Sequence, residues 1–343
     1  MGLIITMTSK ALLIIHQGAL GDFILTFPAI TKLKKYYTRI DVLCQSQLGK
    51  LAKSLGLAES WYPSEAAYFA SLFTDQVDPK IRSLIAQYAQ IILFTMSSQL
   101  EQSINNIAEY LSCCMPPKPP ARARIHVTKF VMQNLVNCGL LHEADAAYDN
   151  MAEFDWKGRP PTCQKIFLHP GAGSIRKRWP ISNFLQLEAT LRVAGFKPEF
   201  ILGPAEKGLA DELQHSDRSV HVLDDLPDLV DLLKSASGYI GNDSGASHLA
   251  AYLGLPTTVI FGPADPERWT PIGRAVKIVR PALPCLPCFE TEKTNCEDSQ
   301  CLASTTPQMV IEAFYQVYRH IQRYNNYGYI FKAKNFGSDL HDL

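Results

Sequence analysis

Two short apolar runs, far apart in the chain, each lead into a glycine-bearing turn and then into an amphipathic stretch. The first is Ala11–His16, followed by Gly18-Ala19-Leu20-Gly21-Asp22. The second is Lys165–His169, followed by Pro170-Gly171-Ala172-Gly173-Ser174. An apolar run without alternation reads as a strand buried on both faces, and a strand–turn–helix order repeated along a chain implies a parallel sheet covered by helices. The rest of the sequence continues each series. Strands are predicted at Arg39–Cys44 and Ile91–Thr95 in the first, with helices at Asp22–Tyr37, Gln102–Cys113 and Val127–Cys138. Pro28 is expected in the first turns of its helix, where a missing N–H matters least. In the second series strands are predicted at Glu199–Leu202, Val220–Leu223, Tyr239–Gly241 and Thr257–Phe261. Its helices are predicted at Ile181–Ala194, Ala205–Gln214, Pro227–Ser235, Ser244–Leu253 and Pro307–Tyr324.

Between the two series, Asp155-Trp156-Lys157-Gly158-Arg159-Pro160-Pro161 reads as a linker. The expected organisation is an α/β chain of two Rossmann-like domains: residues 8–150, a linker 151–162, residues 163–323 and a polar tail 324–343. A length of 343 residues accommodates two such domains.

Lys and Arg number 33, and so do Asp and Glu, which argues against a generic nucleic-acid binder relying on excess positive charge. No run approaches the ~18 apolar residues of a membrane span. The start of the chain lacks the layout of a secretory signal, so the expectation is a cytoplasmic protein. Cys44, Cys113, Cys114, Cys138 and Cys163 share no spacing and read as core thiols in a reducing compartment.

Four segments can carry chemistry. Asp22, in the first turn, reads two ways: as a helix N-cap, or as a carboxylate at the strand's carboxyl end that accepts a proton from a hydroxyl. The second turn is followed by Arg176-Lys177-Arg178, and its amides, Ser174 and a cation suit a phosphate. The alternative there is a solvated basic loop. The third segment, Gly241-Asn242-Asp243-Ser244-Gly245-Ala246-Ser247-His248, offers helix caps and free amides that favour an anion, with His248 one turn further on. The fourth, Phe261-Gly262-Pro263-Ala264-Asp265-Pro266, is a turn-rich exit from a strand. Separately, Cys285-x2-Cys288-x7-Cys296-x4-Cys301 has one knuckle-like pair and can be read as a structural metal site, as reduced thiols or as disulfides. Neither glycine turn has the G-x-G-x-x-G spacing of a nicotinamide dehydrogenase.

Taken in order over about residues 10–275, these segments resemble glycosyltransferase family 9, the ADP-heptose:lipopolysaccharide heptosyltransferases. The matching residues are Gly18–Asp22 with Pro28-Ala29-Ile30, and His169–Gly173 with Lys177-Arg178-Trp179-Pro180. Gly241–Gly245 with His248-Leu249-Ala250-Ala251, and Phe261-Gly262-Pro263 with Asp265-Pro266, complete the set. The late cysteines also resemble a cluster in many members. The resemblance implies a GT-B fold: two Rossmann-like domains facing each other across a cleft, acceptor in the first and nucleotide sugar in the second.

The resemblance further implies an inverting transferase that needs no metal, moving heptose from ADP-heptose to an inner-core lipopolysaccharide acceptor. Asp22 matches the general base, on a turn formed by Gly18, Ala19, Leu20 and Gly21. Lys177 matches a lysine on the donor diphosphate. Gly171, Ala172, Gly173 and Ser174 form the glycine turn, and Asp243, Ser244, Gly245 and His248 match the donor-binding turn. Glu206 aligns loosely with a carboxylate that contacts the nucleoside. Ala246-Ser247 departs from the Pro-Met often seen there, which weakens any subfamily assignment. The expected partners are ADP-heptose and a lipid-linked oligosaccharide, with no nucleic acid and with peripheral contact at the inner membrane's cytoplasmic face. Lys32, Lys34 and Lys35, or Arg122 and Arg124, can attract that anionic acceptor, although a solvated face is the plainer reading. The alternatives are a transferase using another nucleotide sugar or a protein acceptor, and a non-catalytic sugar-nucleotide-binding protein.

Overall fold

The computed structural model describes residues 10–319, apart from 75, 109–111, 122, 147–163, 215–217, 282, 284–286, 290–295 and 297–298. The predicted linker, the predicted tail, Arg122 and Cys285 lie outside the described residues. Contacts divide the chain into two units. The first is Met1–Asp149 with Asp225–Leu229 and Glu267–Trp269, and the second is the remainder.

The first unit is built on five parallel strands: β1 (Ala11–His16), β2 (Arg39–Cys44), β3 (Ser60–Pro63), β4 (Gln90–Phe94) and β5 (Ser112–Met115), in the order β3-β2-β1-β4-β5. Every residue of β1 is buried, as a central parallel strand requires. Its helices are α1 (Leu20–Ile24), α2 (Phe27–Leu33), α3 (Ser46–Ser54), α4 (Pro79–Ile85), α5 (Ser98–Ile107), α6 (Val127–Asn137) and α7 (Glu143–Ala146). Leu13, Ile15, Ile91 and Leu93 form the core on one face with Phe69, Leu72, Leu100 and Ile104. Each such side chain contributes about 1.5–3 kcal/mol by leaving water.

The helix predicted over Asp22–Tyr37 is two helices. The Thr26 hydroxyl donates to the Phe23 carbonyl at 2.6 Å, and Pro28 at the start of α2 has no N–H to continue the ladder. The helix predicted over Gln102–Cys113 starts earlier and ends at Ile107, and Cys113 belongs to β5. The expectation of core thiols fails for two cysteines. The end of α6 brings Cys138 to Cys113 with Cα atoms 6.2 Å apart, and the two form a disulfide. Their separation of 25 residues follows no motif, so only the fold reveals the pair.

One short stretch of this unit comes from far along the chain. Arg268 is 2% exposed, and its guanidinium donates to the carbonyls of Pro119, Pro120, Ala121 and Ala123.

The second unit has six parallel strands: β6 (Lys165–His169), β7 (Lys197–Leu202), β8 (Val220–Val222), β9 (Gly238–Asn242), β10 (Thr257–Ile260) and β11 (Val276–Val279). Their order is β11-β10-β9-β6-β7-β8. The helices are α8 (Ile181–Val193), α9 (Ala210–Gln214), α10 (Leu226–Lys234), α11 (Gly245–Tyr252), α12 (Pro266–Trp269) and α13 (Gln300–Ala303), with a further helix over 307–319. The first residues of α10 and the last of α12 are those counted with the first unit. Ile166, Leu168, Phe184, Leu187, Ile240 and Phe314 form one core cluster.

Each sheet has a point where the strand order reverses, between β1 and β4 in one and between β6 and β9 in the other. Ligands in open α/β sheets bind at the carboxyl ends of the strands at such points. The first, second and third candidate segments leave the sheets there: Gly18–Asp22 after β1, His169–Lys177 at and after β6, and Asn242–His248 at and after β9.

Candidate active site

At the end of β1 the chain turns within four residues. His16, the last residue of the strand, is 1% exposed, and its Nδ1 accepts the Gly18 N–H at 3.1 Å. A Cβ on Gly18 would meet His16 Cε1 at 2.7 Å and Asp22 Cβ at 2.9 Å, so only glycine fits. The neighbouring strand end is tied in by Thr95, whose hydroxyl donates to Gln17 Oε1 at 2.9 Å.

Asp22 is not the N-cap. That position is Ala19, and Asp22 is the third residue of α1, with its Oδ2 accepting the Ala19 N–H at 3.1 Å. The carboxylate reaches back from the first turn to an amide the helix leaves open, where negative charge is favoured. Asp22 and Gly21 are half-buried, as are Gly18 and Leu20, and Ala19 is exposed.

The second turn is held from further away. His169 closes β6, and its Nδ1 lies 2.9 Å from the Ile201 carbonyl on β7. Burial pushes its pKa below the ordinary histidine value. A Cβ on Gly171 would come within 2.5 Å of Glu206 Cδ and 2.7 Å of His169 Cε1. Gly173 is exposed and faces open space, so no protein contact requires glycine there.

All three cations that follow are engaged. Lys177 pairs with Asp243 at 2.7 Å, and Arg178 pairs with Glu206 at 2.9 Å while also donating to the Ala172 carbonyl. Arg176 donates to Cys288 Sγ at 3.4 Å and sits 5.1 Å from the centre of the Phe289 ring, with Lys177 Nζ at 5.6 Å from the same ring. The solvated basic loop is therefore not what forms. Ser174 precedes a single 3-10 turn, Ile175–Lys177, that carries Lys177 to Asp243.

Asn242, at the end of β9, joins the two segments. It is fully buried, its Nδ2 donates to the Pro170 carbonyl at 2.8 Å, and its Oδ1 accepts the Trp179 N–H at 3.1 Å. Ser244 caps α11, Gly245 opens it, and Ser247 anchors the turn by donating to the Asn242 carbonyl. Asp243 and His248 are buried at 4% and 3% exposure. Gly171, Ala172, Lys177, Asp243, Ser244, Gly245 and His248 are thus carried by segments leaving β6 and β9, two of them pinned by one asparagine.

Glu206 belongs to the same group of contacts. It lies in a 3-10 turn, Pro204–Leu209, its Oε2 accepts the Gly203 N–H at 3.2 Å, and it is 6% exposed. Its carboxylate is enclosed against Arg178 and the glycine turn. In the fourth segment the Pro263 carbonyl accepts the Phe289 N–H at 3.2 Å, which ties this loop to the aromatic ring beside Arg176.

Among the described residues no group of three or more His, Cys, Asp or Glu side chains can hold a metal ion. Cys288 and Cys296 are free thiols. On the first unit the basic residues of α2 and the turn after it are partly committed. Lys34 donates to the Gly56 carbonyl and Lys35 pairs with Asp145 at 3.0 Å. Hydrogen bonds from Tyr36 and then Lys35 hold the Asp145 carboxyl below its usual pKa. The reading of residues did not single out His16, Arg178 or Asn242 as structural agents. The available signal was position, since His16, His169 and Asn242 each end a strand.

The model of the family described as glycosyltransferase family 9 (heptosyltransferase) matches residues 140–297. A stretch of 128 residues is 30% identical to lipopolysaccharide heptosyltransferase 1 of Pseudomonas aeruginosa, covering 36% of this chain and 36% of that protein. The chain thus matches about a third of that curated relative's length. Among solved structures, the family 9 glycosyl transferase of Veillonella parvula superposes with a TM-score of 0.74 at 17% identity, covering 91% of this chain and 98% of the other. The ADP-heptose LPS heptosyltransferase II of Escherichia coli gives 0.68 at 16% identity, covering 91% and 99%. At such identities the likeness establishes the fold, which is GT-B.

Proposed function

We propose, from the match of residues 140–297 to the model of glycosyltransferase family 9, that this chain is a member of that family and an inverting transferase moving heptose from ADP-heptose to an inner-core lipopolysaccharide acceptor. The observation that carries the reading is the Asn242-pinned pair of turns in the second unit. Their parts fit a nucleoside diphosphate sugar. Lys177 stands 2.7 Å from Asp243, immediately before the amino end of α11, and Gly171 lets the backbone pass close to His169 and Glu206. A lysine and helix-start amides suit the charge that grows on a leaving diphosphate. The relatives, a lipopolysaccharide heptosyltransferase and an ADP-heptose enzyme, supply the choice of sugar and acceptor.

The first unit supplies the base. An acceptor hydroxyl oxygen attacks the anomeric carbon and forms the new C–O bond on the face opposite the leaving group. The bond from that carbon to the diphosphate oxygen breaks, and its electron pair leaves with ADP. The hydroxyl proton passes to the Asp22 carboxylate. Asp243 orients the Lys177 ammonium before donor arrives, so the cation need not be organised during the reaction.

Calorimetry against ADP, UDP, GDP and CMP tests the donor half, with ADP expected to bind at least ten-fold more tightly. Equal affinity for all four would end the ADP-sugar reading. An Asp22→Asn variant tests the base. It is expected to keep ADP affinity and lose most turnover, whereas unchanged turnover would mark a protein in which Asp22 moves no proton.

A further inference from the structure

His16 stands outside every motif that suggested the function, yet it sits against the turn that carries Asp22. The backbone N–H of Gly18 can only donate, so Nδ1 must present its lone pair, and the single proton of the neutral ring lies on Nε2. That Nε2–H is buried and has no hydrogen-bond partner among the described residues. The ring is walled by Phe23, with centroids 5.1 Å apart, and by Phe94, at 5.4 Å. Burial lowers its pKa to about 3, so the ring is neutral and the lone pair on Nδ1 is available near neutral pH.

An apolar residue would pack between Phe23 and Phe94 without an orphan donor. What the histidine adds is the acceptor for Gly18. The next amide along, Ala19 N–H, is taken by Asp22 Oδ2 at 3.1 Å. Two consecutive amides are therefore held by two side chains, one from the strand end and one from the helix. A Cβ at Gly18 would touch both, meeting His16 Cε1 at 2.7 Å and Asp22 Oδ2 at 3.1 Å, so the imidazole and the carboxylate flank the same glycine.

We infer that His16 is the positioning residue for Asp22: through Nδ1 it fixes the Gln17–Gly18 peptide, and the adjoining Gly18–Ala19 peptide, whose N–H goes to Asp22, in turn fixes the carboxylate that takes the acceptor's proton. This inference rests on the reading of Asp22 as the base. His16 transfers no proton itself. Its part is geometric, and a displacement of about 1 Å at a reacting group is worth about a hundred-fold in rate.

The test uses four variants of the full chain, assayed with ADP-heptose and heptose-deficient lipopolysaccharide. His16→Phe fills the space between the rings but removes the acceptor. His16→Asn restores an acceptor in the right place, because an asparagine Oδ1 naturally bonds the amide two residues on. His16→Gln puts its acceptor one bond too far. Asp22→Asn reports on the base itself. The expected result is a kcat about a hundred-fold lower for His16→Phe and His16→Gln, with KM for ADP-heptose within about three-fold, and recovery to within about ten-fold of the parent in His16→Asn. Hydrogen exchange at the Gly18 and Ala19 amides should quicken in His16→Phe and slow again in His16→Asn. This second readout also shows whether each variant is folded. Parent-like kcat in His16→Phe overturns the inference, as does an Asn variant no better than Gln while exchange elsewhere stays native. Parent-like kcat in Asp22→Asn overturns instead the reading on which the inference rests, and the two failures are told apart by which variant stays active.

Discussion

The two glycine turns are built alike and held differently. Each follows a strand that ends in a buried histidine, and each has a glycine whose Cβ would strike that histidine's Cε1. At the first turn Asp22, the third residue of α1, accepts the Ala19 N–H, and beside the second turn Glu206, from the separate turn after β7, accepts the Gly203 N–H in the same way. The histidines carry their protons on opposite nitrogens. His16 accepts at Nδ1 from its own turn, while His169 faces the Ile201 carbonyl with Nδ1 and must donate. The carboxylates differ in the same spirit: Asp22 is half-buried, and Glu206 is enclosed against Arg178 at 2.9 Å. One turn is fastened locally and carries the half-buried carboxylate of Asp22. The other is fastened by a neighbouring strand and by Asn242, and the Glu206 carboxylate beside it is held by Arg178.

That contrast assigns separable effects to the two carboxylates. The largest expected effect is Asp22→Asn, which should lower kcat by about 10²–10⁴-fold, the usual worth of a general base, with little change in melting temperature. Glu206→Gln should do the reverse. Leaving the Arg178 charge without its partner in a largely buried pair costs about 3–5 kcal/mol, read as a lowered denaturant midpoint, while kcat of the remaining folded enzyme stays within a few-fold. If Glu206→Gln proves as stable as the parent and fails in turnover, the division of labour between the turns is wrong.

Next in size is Lys177→Ala. A charge-assisted contact is worth about 1.5–3 kcal/mol, so KM for the donor should rise about 10- to 150-fold, measured by initial rates, while the acceptor KM stays unchanged.

Smallest is the acid response. Burial holds His16 near about 3 and lowers His169 as well, both below the value of about 6.5 that a histidine has in the unfolded chain. The unfolded chain therefore binds protons that the folded one refuses as pH falls below 6.5. Stability is full above that pH and declines beneath it, by up to about 1.4 kcal/mol per pH unit for each group until its folded pKa is reached. Urea midpoints between pH 7 and 5 should show the slope, and His16→Asn should lessen it to the share left by His169. A slope untouched by that substitution would mean that the first turn's histidine titrates normally.

The legibility of the sequence followed burial. Arg39–Cys44 and Lys165–His169 were read with the bounds they have, because each is flanked by turn residues and holds a run of buried apolar side chains. β3 and β5 are not legible, since Ser60-Trp61-Tyr62-Pro63 is only half-buried and the first half of β5, Ser112-Cys113, continues the helical pattern read over Gln102–Cys113. β11, a partly exposed edge strand, escaped for the same reason. In the site, the turns themselves were visible as glycine after a strand. Their fastenings were not, because Asn242, Arg178 and His16 act through partners distant in sequence or through a ring nitrogen whose role only geometry decides. The sequence places Asp22 beside the helix start, and the structure refines this: Ala19 is the N-cap and Asp22, the third residue of the helix, bonds back to it.

The Arg268 contact has a consequence for the order in which the molecule can be completed. Its guanidinium reaches the Pro120 carbonyl across a separation of 148 residues, into a segment whose prolines lack the N–H groups to form a ladder of their own. During synthesis the amino-terminal unit emerges from the ribosome before the guanidinium that binds those carbonyls, with the Ala123 N–H as a local partner for Pro120, and its last stitch arrives when Arg268 does. A fragment ending at residue 150 would be a nascent intermediate rather than a finished domain.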